Sequence, residues 1–245
     1  LALWQRRLLA HADAVVVPSA FAGERLRALG VALGGPGGAG GAGLDADRPP
    51  LHVVGHVVRS VAERSTAAAG SHALVVSRLA PEKGVDVAIA ACAAAGVPLV
   101  IAGDGPLLAT LRARAQGTDT RFAGRLGDVE LGRLRAGAGL AVVPSRSAET
   151  FGLVAAEAMA AGLPIAGSAI GALPELCGAE GLVAPGDAAA LALAIRARFG
   201  DEQAGERGRR RVLEVASPPA VGRALGAVYE NLQERAGGSR IRRAP

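Results

Sequence analysis

Residues 74–103 read LVVSRLAPEKGVDVAIAACAAAGVPLVIAG. Apolar, β-branched residues over Ala73–Ser77 predict a strand. A loop containing Pro81 and Gly84 follows, then an uninterrupted small-apolar run that predicts a helix over Val85–Ala95. Gly96 ends that helix, and Pro98–Ala102 reads as a second strand buried on both faces. The same rhythm continues outward. Helices are expected at Leu107–Ala115, Val129–Ala136, Phe151–Ala161, Ala172–Cys177 and Ala188–Phe199. Strands are expected at Thr120–Ala123, Leu140–Pro144, Pro164–Gly167 and Gly181–Ala184. Short apolar strands alternating with helices make right-handed βαβ units, so residues 71–200 predict an α/β, Rossmann-like, doubly wound parallel sheet.

The flanks are less regular. Residues 1–30 read as helix, strand, helix, with Ala14–Val17 as the strand and Pro18-Ser19 as turn and helix cap. Gly34–Gly43 (GGPGGAGGAG) is expected to be a flexible loop, and Leu51–Val58 a further strand. Ser217-Pro218 starts a last helix to about Gln233. The expected division is 1–60, the end of an incomplete N-terminal domain and a crossover; 61–215, a complete α/β domain; 216–235, a helix; and 236–245, a disordered basic tail. The chain opens on Leu1 rather than methionine, which leads us to expect sequence before it.

Composition removes several function classes. Half of the 245 residues are hydrophobic and 20% are charged, which supports a large core and opposes disorder. No apolar run approaches about 20 residues, the length of a membrane span. Cys92 and Cys177 are too few for a disulfide framework and suit a reducing, cytoplasmic setting. Net charge is +5, but one Trp, one Tyr and four Phe leave few platforms for stacking bases, so nucleic acid is not the expected partner. The clusters Arg207, Arg209–Arg211 and Arg240, Arg242, Arg243 read as a solvated helix face and a frayed end. The basicity better fits a phosphate-bearing small molecule, or peripheral contact with an anionic lipid surface at the inner face of a membrane. His52 and His56, four apart in an expected strand with no carboxylate beside them, read as structural. No Asp, His or Cys cluster has metal-ligand spacing, so no metal is expected.

Of the 27 Lys and Arg residues only Lys83 is a lysine, a compact ammonium kept where a planar guanidinium would not fit. In doubly wound sheets, ligands meet the loops after the strands. The first such loop carries Arg78 and Lys83, and the second is Gly103-Asp104-Gly105-Pro106, with Asp104 as turn-maker and glycines that permit close backbone approach. A later loop carries Glu149 and runs through Phe151-Gly152-Leu153 into a helix containing Glu157. Cations and a helix N-terminus suit a diphosphate, whereas carboxylates suit sugar hydroxyls. A nucleotide-sugar has both.

These stretches resemble the donor-binding half of retaining glycosyltransferases of the GT-B fold, glycosyltransferase family 4. The matching segments are VSRLAPEKGVD (76–86), IAGDGP (101–106), AVVPSRSAETFGLVAAEAMAAGLPIAG (141–167), GALPEL (171–176) and GLVAPGD (181–187), in that order. Glu149 and Glu157 match the family's E-x7-E motif. The resemblance implies metal-independent sugar transfer with retention, from a donor such as GDP-mannose or a UDP-sugar, to an acceptor the sequence does not identify. It implies that Arg78 and Lys83 hold the diphosphate, Glu149 faces the transferred sugar, and Glu157 binds the ribose. Gly103 and the backbone of Phe151, Gly152 and Leu153 would line the donor. The catalytic set is then Glu149, Arg78 and Lys83. At the crossover the family reads like PNGVD, whereas this chain has Val54-Gly55-His56-Val57-Val58 and no acidic residue. A non-catalytic nucleotide-sugar binder is the alternative reading. A nucleotide-sugar epimerase fits the paired glutamates less well.

Overall fold

The computed structural model describes Leu9 and residues 11–35, 48–58 and 64–241. The chain divides into two compact units, Leu1–Val57 with Val215–Pro245, and Val58–Glu214.

In the first unit, β1 (Val15–Val17) and β2 (Leu51–Val53) pair in parallel, with α1 (Ala20–Ala28) after β1. Period-two alternation buries Val15 and Val17 against Leu51, Val31 and Leu33 and turns Val16 outward. Ser19 caps α1, its Oγ accepting the Ala22 N–H at 3.1 Å. The strand expected over Leu51–Val58 stops at Val53. The Val54 N–H still reaches Val17 O at 2.8 Å, but β1 ends there and offers the ladder no further partner. The closing helix, α9, runs over Pro218–Ile241, and Val221 and Val228 pack with Val54. Residues 236–241, expected in a disordered tail, are therefore helical in backbone; no proline lies between Pro219 and Pro245 to interrupt the helix. The helix expected at the start of the chain lies outside the described residues apart from Leu9, and so do residues 36–43 of the glycine run and 242–245.

The second unit is built on six parallel strands in the order β5-β4-β3-β6-β7-β8: β3 (His72–Val76), β4 (Leu99–Ala102), β5 (Thr120–Gly124), β6 (Ala138–Val143), β7 (Ile165–Ser168) and β8 (Leu182–Val183). The helices are α2 (Val85–Ala95), α3 (Leu108–Arg114), α4 (Asp128–Ala136), α5 (Leu153–Ala160), α6 (Leu173–Cys177), α7 (Ala188–Arg198) and α8 (Glu202–Ala216). The expected alternation is present, element for element, through α7. The arginines 207 and 209–211, read from the sequence as a solvated helix face, lie on α8, whose bounds the sequence did not define. On one face α2 meets α7, and Ile89 and Cys92 share a core with Leu191 and Ile195. Winding proceeds outward from β3 to β5, then resumes on the other side with β6. The reversal between β3 and β6 is the topological switch point, where the loops after both strands splay apart. Among the described residues no helix is long and apolar enough to cross a membrane.

His72 opens β3, buried, with Nδ1 3.1 Å from Ser71 Oγ and no hydrogen-bond partner for Nε2 among the described residues. Burial, aided by the charge of Arg121, holds its pKa below the ordinary 6.5. The unfolded chain therefore binds a proton that the folded chain rejects. Stability from this group is complete above about 6.5 and is lost as pH falls through the window beneath it. Thermal unfolding from pH 7.5 to 5.5 is expected to show a falling midpoint, with a shallower slope in His72→Gln. Parallel slopes would show that His72 does not titrate with folding.

Candidate functional site

The loops after β3, β4, β6 and β7 converge at the switch point and are tied to one another by main-chain hydrogen bonds. Leu79 N–H donates to Asp104 O at 2.9 Å, joining the first loop to the second. Arg146 N–H donates to Glu82 O at 2.8 Å, joining the first to the loop after β6. Ala172 N–H donates to Glu149 O at 2.8 Å, joining that loop to the one after β7. Gly103, at φ +141°, lies so close to the first loop that a Cβ there would sit 1.8 Å from Ser77 O. Only glycine permits this approach.

Side chains reinforce the junction. Asp86, in the first turn of α2, accepts both Arg146 amino groups, at 2.7 and 2.8 Å, and Arg114 at 3.0 Å. The hydrogen bond from Arg146 holds the Asp86 carboxyl below the usual carboxylate range. The fork links the β3 loop, which carries Lys83, to the β6 loop, which carries Glu149. Between them Lys83 Nζ donates to Glu149 Oε1 at 2.7 Å, with the two side chains 27% and 23% exposed. Ser145 Oγ, buried, donates to the same oxygen at 2.9 Å. Residues 66 positions apart in sequence thus meet as one partly desolvated charge pair.

Arg78 is exposed and paired with Glu82 on its own loop. With Gly103 it lines a cavity of about 520 Å³ beside the switch point, to which Arg125, Leu131 and Val154 also contribute. Asp104 Oδ1 accepts the Gly105 N–H at 2.7 Å, the local bond of a turn-maker. The helix expected from Phe151 begins at Leu153. Gly152 adopts φ +90° as its cap, and a Cβ there would lie 2.8 Å from Leu173 Cδ2. Phe151 is buried, whereas Leu153, at 45% exposure, marks the solvent-facing first turn. The opening N–H groups of such a helix have no acceptor within it and face the end where anions are favoured.

Glu157, one helical turn further in than Leu153, is bonded to Arg135 of α4. Arg135 is buried, at 8% exposure, so its charge is neutralised mainly by this carboxylate. Sequence reasoning missed Arg135, Arg125 and Arg146. The available signal was spacing: Arg135 follows Leu131 by four and shares its helix face. Among the described residues no group of three His, Cys, Asp or Glu could hold a metal ion. Burial pushes the Cys92 and Cys177 thiols up to about 12, so neither is a thiolate at neutral pH.

The family described as Glycosyl transferases group 1 matches residues 68–211. A glycogen synthase of Mycobacterium tuberculosis is 39% identical over 180 residues, 69% of this chain and 41% of that protein. An MMP alpha-(1->4)-mannosyltransferase of Mycolicibacterium hassiacum is 44% identical over 114 residues, 43% of this chain and 27% of that protein. Sucrose-phosphate synthase from Thermosynechococcus elongatus superposes with a TM-score of 0.73 at 25% identity, over 94% of this chain and 61% of that one. The chain therefore spans less than two thirds of the length of these relatives.

Proposed function

This chain belongs to the family of glycosyl transferases group 1, and from that premise we propose that it carries the donor site of an enzyme moving a sugar from a nucleotide-diphosphate-sugar to an acceptor, with retention and without a metal. The observation that carries the reading is the Lys83–Glu149 pair at 2.7 Å on the two loops of the switch point. One member suits a diphosphate and the other a sugar hydroxyl, and a nucleotide-sugar presents both groups a few bonds apart. Arg78 supplies a second cation, the N-terminus of α5 supplies oriented N–H dipoles, and the cavity beside Gly103 gives the nucleoside a place to lie.

In the reaction the bond from the anomeric carbon to the diphosphate oxygen breaks, and its electron pair stays on the diphosphate. Lys83, Arg78 and the helix terminus stabilise that charge as it develops, which is where fixed donors are most effective. The acceptor hydroxyl oxygen bonds to the anomeric carbon on the face the diphosphate leaves, and its proton passes to the departing phosphate oxygen. Glu149 already accepts two hydrogen bonds through Oε1, which suits an acceptor for sugar hydroxyls better than an attacking nucleophile. Glu157 would receive the ribose.

Calorimetric titration with UDP, GDP and their glucose and mannose derivatives, with and without EDTA, tests this directly. Saturable binding of one nucleotide series is expected, with the same affinity in EDTA. Absence of binding by both series would overturn the reading, and a requirement for divalent metal would overturn its metal-independent part.

A further inference from the structure

A second cavity of the same unit, about 330 Å³, lies at the amino ends of the strands, away from the switch point. Its walls include Ile165, the first residue of β7; Gly178–Glu180, which lead into β8; and Arg198, the last residue of α7. Another wall is α8, which brings Arg207 and Arg211. Three guanidinium groups therefore share the cavity with a single lining carboxylate, Glu180.

Their partners divide unequally. Arg198 is committed, donating to Glu180 Oε2 at 2.6 Å and to Asp201 Oδ2 at 2.9 Å. Arg207 reaches the same Glu180 oxygen only to 3.8 Å, beyond hydrogen-bond distance, and its charge also acts on Asp201 without a hydrogen bond. Arg211 gives one hydrogen bond, from Nη2 to Glu175 O at 3.0 Å. Each guanidinium has five N–H donors in a planar fork that matches phosphate, so donor capacity stands in excess here. Met159, Leu163 and Ala204 add apolar wall, which lowers screening and gives a carbon skeleton something to rest on.

Gly208 on α8 adds an independent observation. A Cβ there would meet Met159 at 3.6 Å, an ordinary contact, so packing does not demand glycine. Glycine inside a helix costs stability relative to alanine. What it achieves here is an open cavity, because any larger side chain at 208 would grow into the space between Met159 and the arginines.

We propose that this cavity binds a small organic phosphate, its dianionic group held between Arg207 and Arg211 and its carbon skeleton against Met159 and Leu163. The site goes beyond the donor site and shares no residue with it. Its test is calorimetric titration of the full chain with glycerol 3-phosphate, inorganic phosphate and glycerol. Saturable binding of glycerol 3-phosphate is expected, at least tenfold tighter than inorganic phosphate, with none for glycerol. Arg207→Gln/Arg211→Gln should weaken it at least tenfold. Gly208→Leu keeps both arginines and favours the helix, yet should abolish binding while circular dichroism is unchanged. The proposal fails if glycerol 3-phosphate does not saturate, if inorganic phosphate binds as tightly, or if either variant binds like the parent. Phosphate held at the donor loops would survive both variants, so this result does not depend on the donor reading.

Discussion

Lys83→Ala is expected to weaken nucleoside-diphosphate binding by about 2–3 kcal/mol, on the order of 30- to 150-fold, the range for losing a charge-assisted contact in a partly desolvated site. The effect is expected to be large because, on the proposed reading, the ammonium serves two partners in turn. Without donor it neutralises Glu149 at 2.7 Å. On the proposed reading it turns to the diphosphate when donor binds, and Glu149 is released toward the sugar. Removing Lys83 therefore deletes a cation and leaves a carboxylate uncompensated where the diphosphate must lie. Lys83→Arg should restore only a small part of the affinity, since a planar fork cannot replace a compact ammonium held between two loops. Calorimetry with UDP and GDP reads the effect. Undiminished binding in the alanine variant would remove Lys83 from the site.

The single lysine stands out in a chain whose other basic residues are all arginine. Glu157 was legible because it interrupts small and apolar surroundings, whereas Lys83 and Glu149 were legible from their places in loops that follow strands. The strands of the second unit were legible because they are apolar on both faces, as at Leu99–Ala102 and Ala138–Val143, where every residue is buried. Arg135, Arg125 and Arg146 were not. In an arginine-rich chain the residue type carries no signal; the spacing from Leu131 places Arg135 on the inner helix face, but only the fold shows that it meets Glu157 and that Arg146 reaches across to Asp86. The end of β2 and the bounds of α8 were hidden for different reasons. A strand of a two-stranded sheet ends where its partner ends, which its own residues do not encode. The arginines of α8 read as a helix face, but so charged a run does not mark where the helix starts and ends, and its buried side shows only in the spacing of Val212 and Ala216.

Glu149→Gln and Glu157→Gln are expected to move donor binding and turnover in opposite senses. Glutamine at 149 keeps the shape of the side chain but removes the charge that holds Lys83. Free UDP or GDP should then bind as tightly as to the parent protein or tighter, because the ammonium is released and a carboxylate no longer repels the diphosphate. Turnover of the sugar-bearing donor should fall on the order of a hundredfold, since the lost group is the proposed charged acceptor for the sugar. At 157 the sequence of effects reverses. The carboxylate is the proposed ribose acceptor and also the counterion of buried Arg135. Its loss should weaken free nucleotide on the order of tenfold, with part of the cost falling on stability, because an unpaired buried guanidinium is left behind. Circular dichroism melts separate the two contributions, and calorimetry against turnover separates the two residues. Equal loss of nucleotide affinity in both variants, with folding intact, would mean that the carboxylates do not divide sugar from ribose. The Lys83–Glu149 pair would then hold the loops together rather than exchange partners when donor arrives.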